Sequence, residues 1–182
     1  MLQYIKTLIQ LILSPKAGWE DISADGADPE MMIKKGLYPL IGISACSEFL
    51  RFFFNNSLTI FSAIGMAIIN FGAYFASIYI AKLSFELYVE RFVQGEANAK
   101  KNMTFIAVII GIMTLLQIVS NCFPDGLTIL KFVPIYIMMI IYQSRFYMAV
   151  NSDNEVHFVL LATFATIVVP LTVYFLLSCI IV

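Results

Sequence analysis

The sequence predicts an all-α protein, a polytopic membrane helical bundle of five transmembrane helices with short interfacial helices at its N-terminus. Two observations carry this prediction. Of the 182 residues, 60% are hydrophobic and only 13% are charged, and the mean hydropathy is +0.88, whereas a soluble domain has about 25% charged residues. Several runs also approach about 20 apolar residues, the length that crosses roughly 30 Å of hydrocarbon. The excess apolar side chains therefore face lipid.

The five predicted spans divide the chain into an N-terminal region, 1–35, and a transmembrane domain, 36–182. The spans are expected at 36–54, 60–80, 103–119, 127–150 and 156–182. Asp28 is a suitable N-cap for the helix that leads into the first span, because Pro29 follows at the first helical position. The second helix continues without proline to about Phe92, so its end projects beyond the membrane. The short link NSDNE makes the last two spans antiparallel neighbours.

Small residues recur every four positions along the second long helix. They form three stripes: Ala63 and Ala67; Gly72 and Ala76; and Ala73, Ser77 and Ala81. Such stripes let helix backbones approach closely. We therefore expect this helix to be central and packed on several faces, and a homodimer contact through one stripe stays open.

The basic residues predict the orientation of the spans, because cytoplasmic loops carry an excess of Lys and Arg. With the N-terminus inside, nine of the eleven basic residues fall on the cytoplasmic side and only Arg51 and Lys131 fall outside. The sequence therefore predicts a cytoplasmic N-terminus and an outer C-terminus. The stretch MLQYIKTLIQLIL lacks a basic residue before its apolar part and a small-residue cleavage site, so we expect no cleaved signal peptide.

The region before the first span is predicted to hold two short helices on the inner membrane surface. Residues 2–13 place Leu2, Ile5, Leu8, Ile9 and Ile12 on one helical face, and a dozen residues are too few to span. Ser14 and Pro15 predict an N-cap and first turn for a second helix. This helix carries the only tryptophan, Trp19, which shares one side with Ile22. Trp favours the headgroup level, so we expect Trp19 to be an anchor there.

These features resemble the YIP (Ypt-interacting protein) family of five-span membrane proteins. The resemblance lies in SPKAGWEDI ahead of five spans, in the polarity of the spans, and in LYVERFVQGEANAKKNMTFIAVI after the second. A denser glycine pair is expected where this chain has only Gly95. The resemblance implies a non-enzymatic membrane protein acting through protein partners, with membrane trafficking or organisation as the implied role. The compact loops favour a bacterial inner-membrane protein.

Two sets of polar residues are candidates for function. Glu48 and Arg51 share a face in the first span, where an unpaired carboxylate costs several kcal/mol. They are interpreted either as a proton or ion relay, or as an internal structural ion pair. Asn70 and Gln117 are the other deep polar residues, each expected to form an interhelical hydrogen bond.

The second set lies on the predicted cytoplasmic face and is interpreted either as a docking surface or as a solvated face. Its members are Trp19, Glu20 and Asp21 near the N-terminus, and Lys82, Glu86 and Glu90 on the projecting end of the second helix. The segment 13–30 is expected to be ordered and to pack against that projecting end.

Enzymatic activity, a metal site and a cofactor are not predicted. His157 is the only histidine, and no HExxH, GxSxG or phosphate-loop pattern occurs. The three cysteines share no ligand spacing, and the net charge of −1 gives no basic surface for nucleic acid. The leading hypothesis is a YIP-like membrane scaffold that engages protein partners, with a homo-oligomer open. The alternatives are a small channel or transporter component that uses Glu48 and Arg51, and an obligatory subunit of a larger complex.

Overall fold

The structure is a computed structural model that describes residues 1–26, 28–54, 59–95, 98–123 and 132–181. These residues form an all-helical bundle, which confirms the all-α part of the predicted fold class. In chain order the α-helices are α1 (Leu2–Leu13), α2 (Pro15–Asp25), α3 (Pro29–Met32), α4 (Tyr38–Ser47), α5 (Ile60–Tyr88), α6 (Ala99–Asn121), α7 (Val133–Gln143), α8 (Glu155–Thr163) and α9 (Val169–Ile181).

Helices α1 and α2 form a hairpin, which we call the N-terminal hairpin. Ser14 separates the two helices and occupies the N-cap position of α2 as predicted, although its side chain makes no capping hydrogen bond. Pro15 begins α2 as expected, because its fixed φ suits a first helical turn. Gly26 ends α2 in the left-handed region, with a φ of 56°. Glycine adopts this conformation without a steric penalty.

A helical segment of mixed geometry follows the hairpin and runs from Pro29 to Phe53. Asp28 caps it as predicted, since its Oδ1 accepts a hydrogen bond from the Glu30 amide at 3.2 Å. A π-helical turn, Ile33–Leu37, joins α3 to α4, and a 3₁₀-helical segment, Glu48–Phe53, completes the run. The backbone at the end of this segment therefore has 3₁₀ rather than α-helical geometry.

Among the residues that the structure describes, three helices are long and apolar enough to cross a membrane by length and composition, which indicates a membrane protein. They are Ile60–Arg91, Ala99–Asn121 and Ser152–Cys179, and they match the second, third and fifth predicted spans. The fourth predicted span, 127–150, is represented by α7, which has 11 residues. A helix of that length rises about 16 Å, and residues 127–131 lie outside the described ranges. The count of five spans therefore stays a prediction.

Helix α5 is central, as the small-residue stripes predicted. It packs against α4, α6, α8 and α9. The stripe Ala73, Ser77 and Ala81 is buried, whereas Gly72 is open, with nothing within 4 Å of a Cβ built on it. Capping at Thr59 starts the helix, because the Thr59 and Ser62 side chains each bond the other's backbone amide, a reciprocal arrangement known as a capping box.

Candidate functional site

A buried polar cluster joins three helical segments, and we call it the Glu48 network. Glu48 is 2% exposed. Its Oε1 accepts hydrogen bonds from Asn70 Nδ2 of α5 at 2.8 Å and from Gln117 Nε2 of α6 at 3.1 Å. Its Oε2 pairs with Arg51 Nη1 at 3.4 Å. The structure thus brings together the four intramembrane polar residues that the sequence singled out.

Three more residues extend the Glu48 network. Ser44 Oγ donates to Asn70 Oδ1 at 3.2 Å, and Asn121 Nδ2 donates to Ser47 Oγ at 2.9 Å. Gln117 Nε2 also donates to Asn121 Oδ1 at 3.2 Å. All three were missed at the level of sequence. For Ser44 and Asn121 the spacing was a usable signal. Ser44 precedes Glu48 by four residues and Asn121 follows Gln117 by four, which puts each pair on one helical face.

The polar atoms at the centre of the Glu48 network are hydrogen-bonded. Both carboxylate oxygens of Glu48 have partners, and the side-chain oxygen of Asn70 is also bonded. A buried polar network whose members are all paired rigidifies the elements that it joins. Arg51 is the most solvent-accessible end of the ion pair, with 35% of its side chain exposed. Tyr174 of α9 lies beside Glu48 and Arg51.

Tyr4 anchors the N-terminal hairpin deep in the bundle. Its hydroxyl donates to the Ala107 carbonyl oxygen of α6 at 2.6 Å. The ring occupies a notch between two glycines, since a Cβ on Gly36 would come within 2.5 Å of its Cγ and a Cβ on Gly111 within 2.9 Å of its Cζ. Burial raises the pKa of Tyr4 well above its ordinary value, so the hydroxyl remains a donor. No signal in the sequence marked Tyr4.

Trp19 is the second anchor of the hairpin, and it contacts protein rather than the lipid headgroups expected from the sequence. The indole is only 2% exposed. It stacks between Phe105 and Tyr147, with ring centroids 5.7 and 5.2 Å away, and its Nε1 donates to the Ile140 carbonyl oxygen at 3.0 Å. The aromatic faces supply more burial than a headgroup layer offers. Trp19 is therefore an internal contact of the hairpin rather than a surface for partners.

Helix α2 packs against α1 and α7. Among the described residues, the projecting end of α5 is not one of its main neighbours, contrary to the expected packing. The reason is the Trp19 stack, which directs the buried side of α2 towards Phe105 and Tyr147. Glu20 and Asp21 lie on the other side of α2 and are exposed. Asp21 accepts a hydrogen bond from Gln10 of α1, which joins the two helices of the hairpin.

Two connecting segments meet at the end of the bundle where Tyr147 lies. Residues 92–94 and 149–151 pair as an antiparallel bridge, in which the Gln94 amide donates to Ala149 O and the Asn151 amide to Phe92 O, both at 2.8 Å. Lys101 donates to Tyr147 O at 3.1 Å. We call the N-terminal hairpin together with Lys101 and residues 92–94 and 145–151 the platform. Its parts are held by contacts between segments distant in sequence.

Two open grooves lie on the platform. One has a volume of about 480 Å³ and lies between the hairpin and residues 28–36; Asp21, Asp25 and Asp28 line it. The other, about 390 Å³, is lined by Trp19, Phe146 and Tyr147 among others. Both volumes fall within the range of about 300–1,000 Å³ typical of ligand pockets.

The remaining predicted residues lie on exposed surface. Lys82 and Glu86 pair at 3.7 Å, with about half of each side chain exposed, and Glu90 is exposed beyond them. Such a pair contributes about 0–1 kcal/mol. His157 is exposed and stacks on Phe92 at 6.2 Å. Among the residues that the structure describes, no three His, Cys, Asp or Glu side chains group around a space for a metal ion.

Comparison of the chain with protein-family models, curated proteins and solved structures gives no match. The resemblance to the YIP family therefore rests on the quoted sequence stretches alone, and the geometry of the chain itself carries the evidence on function.

Proposed function

We propose that this protein is a non-enzymatic membrane scaffold that engages protein partners through the platform. The observation that supports the proposal is the construction of the platform. Trp19 stacks on Tyr147, and Lys101 bonds the carbonyl oxygen of the same tyrosine, so segments far apart in the sequence hold one another in place. An ordered surface of this kind costs little conformational entropy on binding, which favours recognition of a partner.

The exposed chemistry of the platform suits a protein partner. Glu20, Asp21 and Asp25 are exposed on α2, and Phe146 is 70% exposed at the edge of the smaller groove. Aromatic side chains surrounded by charged residues are typical of binding surfaces on proteins. Lys82, Glu86 and Glu90 are proposed as a second, more polar part of the interacting face.

The proposal includes a topology of five spans with a cytoplasmic N-terminus and an outer C-terminus. In this arrangement the run from Pro29 to Phe53 and the segment containing α7 are the additional spans, and the N-terminal hairpin is interfacial. The basic residues support the polarity, because Lys101, which bonds Tyr147 O, and Arg145, which lies over the Tyr142 ring, both fall on the predicted cytoplasmic side. A bacterial inner membrane and membership of the YIP family remain parts of the proposal.

The alternative function is a small channel or transporter component that uses Glu48 and Arg51. The observation in its favour is a carboxylate buried in an apolar bundle, which is a candidate for ion or proton binding. The hydrogen bonds of the Glu48 network argue against it, because Glu48 shares its two oxygens among three donors. A site that takes up and releases an ion has to break these contacts in each cycle. We therefore favour the structural role.

Site-specific photo-crosslinking in intact cells tests the scaffold. A benzophenone amino acid at Glu20 or Glu86 is expected to give discrete protein adducts, because both side chains lie on the proposed interacting face. The matched control is Phe61, which is 86% exposed at the start of α5 and is expected to crosslink to lipid alone. Adducts as frequent at Phe61 as at the two test positions contradict the proposal.

An ion-flux measurement distinguishes the channel function from the scaffold function. Glu48→Gln combined with Arg51→Met leaves the platform intact, so partner crosslinking at Glu20 is expected to persist. The channel function is supported, and the scaffold is contradicted, if the unmodified protein conducts an ion in liposomes and the folded double variant does not. Loss of partner crosslinking from Glu86 after Glu20→Lys, with no flux in either protein, supports the scaffold.

A further inference from the structure

Helix α1 has three sectors around its axis, and two of them have known surroundings. The inner sector, Tyr4, Leu8 and Leu11, is buried against the bundle, and the latter two side chains are completely covered. Spacing of four and three residues puts the three side chains on one side of the helix. Through Tyr4 this sector contacts Ala107 of α6.

The polar sector of α1 faces α2 and the larger groove. Gln3, Thr7 and Gln10 line that groove, and Gln10 is hydrogen-bonded to Asp21 of α2. The groove is open to solvent and lined by three aspartates, so the polar sector marks the side of α1 that faces water.

The outer sector is apolar, and its three outermost side chains are exposed among the described residues. Leu2 is 84% exposed, Ile9 45% and Leu13 78%, and Ile5 and Ile12 lie half-buried between them and the inner sector. In a helical projection at about 100° per residue, these five side chains cover roughly a third of the circumference, and no charged residue falls within it. Leaving this much apolar surface in water is costly, at about 25 cal/mol per Å².

The position of α1 beside α6 identifies what covers the outer sector. Tyr4 contacts Ala107 and Gly111, and α6 runs for 23 residues from Ala99 to Asn121. At the rise of an α-helix, these two contacts lie about 12 Å and about 18 Å along that candidate span. At its other end α1 is tied to α7, because the Tyr136 hydroxyl donates to Ile12 O at 2.6 Å. Helix α7 has its own apolar exposed side there, with Ile135 65% exposed.

We propose that the outer sector of α1, formed by Leu2, Ile5, Ile9, Ile12 and Leu13, inserts among the acyl chains of one bilayer leaflet. The sector belongs to a helix that Tyr136 ties to α7 and that contacts α6 at Ala107 and Gly111, both within the predicted third span, 103–119. Helix α1 is then a wedge in a single leaflet, with lipid on its outer sector, the bundle on its inner sector and water on its polar sector. The proposal rests on the interfacial position of the hairpin but needs no protein partner.

Spin labelling of the full chain in vesicles of phosphatidylcholine and phosphatidylglycerol tests this insertion. Cys46, Cys122 and Cys179 are replaced by alanine, and a nitroxide is attached to a single cysteine at Ile9 or Leu13. Collision of the label with oxygen, which partitions into acyl chains, is compared with collision with a water-soluble nickel chelate. We expect the oxygen-to-nickel ratio to be several-fold higher at these positions than at Gln3, the matched control on the polar sector.

Other outcomes overturn the proposal and identify what covers the sector instead. Equal ratios at Leu13 and Gln3 mean that the outer sector faces water, and the interfacial position of the hairpin then fails with it. A label at Leu13 that is shielded from both reagents means that protein covers the sector, and dipolar broadening between labels identifies a second copy. The emission of Trp19, the only tryptophan, reports in each variant whether the hairpin is still docked. Crosslinking at Glu20 tests the scaffold separately.

Discussion

Replacement of Glu48 tests whether the Glu48 network holds the bundle together. Glu48→Leu keeps a similar volume but removes both acceptor oxygens, so Asn70, Gln117 and Arg51 each lose a partner. Glu48→Gln is the matched control. The glutamine Oε1 still accepts from Asn70 and Gln117, and only the pairing with Arg51 at 3.4 Å is removed.

The expected magnitudes follow from which hydrogen bonds each substitution removes. Polar interactions between membrane helices contribute about 0.6 kcal/mol on average and up to about 1.7 kcal/mol. Glu48→Leu removes the bonds to all three donors and therefore lowers the free energy of unfolding by about 2–5 kcal/mol. Glu48→Gln removes the longest and most exposed of the three, at about 1 kcal/mol or less. For a chain of this size, about 1 kcal/mol corresponds to a Tm shift of roughly 2–4 °C.

The measurement is thermal unfolding in detergent, followed by the loss of helical circular dichroism. We expect Glu48→Leu to lower the Tm by about 4–20 °C and Glu48→Gln by about 4 °C or less. A Glu48→Leu variant that melts together with the unmodified protein refutes the structural role of the network. Equal decreases in the two variants mean that the charge of Glu48, rather than its hydrogen bonds to Asn70 and Gln117, is what stabilises the bundle.

Three further substitutions have expected outcomes. Gly111→Ala crowds the Tyr4 ring and lowers the free energy of unfolding by about 1–3 kcal/mol, and we expect a red shift of Trp19 emission. The matched control is Gly42→Ala, which leaves the emission unchanged because a Cβ there meets nothing within 4 Å. Trp19→Ala removes a stacked, hydrogen-bonded indole and costs about 3–5 kcal/mol, and undocking of the hairpin is expected to speed its cleavage by trypsin. Glu155→Gln breaks the partly exposed ion pair with Arg145 and lowers the Tm by about 2–4 °C, a difference that shrinks in high salt because salt screens such pairs.

The N-terminal hairpin and the Glu48 network stabilise different parts of the bundle. The Glu48 network joins the run Pro29–Phe53 to α5 and α6, whereas Trp19 joins α2 to α6 and α7 at the platform. A substitution in one is therefore expected to leave the other in place. This separation is why emission of Trp19 and thermal unfolding report different parts of the molecule.

The sequence by itself determined the features that depend on local pattern. The all-α class and the three long apolar helices follow from composition and run length, and the start of the helix at Pro29 follows from the capping of Asp28. Glu48 was conspicuous because a charged residue inside an apolar run is costly wherever it lies. The central position of α5 followed from its small residues, since such residues let neighbouring helices pack closely.

Only the tertiary structure decided which surfaces meet. The outer and inner sectors of α1 are both apolar, and the sequence predicted one face that mixes Leu8 with Leu2, Ile5, Ile9 and Ile12, because the helical period does not distinguish protein from lipid as a neighbour. The chemistry of Trp19 is compatible with a headgroup layer, and only the tertiary structure shows that the indole is buried between Phe105 and Tyr147. The contact of Asn121 with the Glu48 network also depends on tertiary structure. Its partner Ser47 is 74 residues away, and contacts over that separation depend on how whole helices pack, which no local pattern specifies.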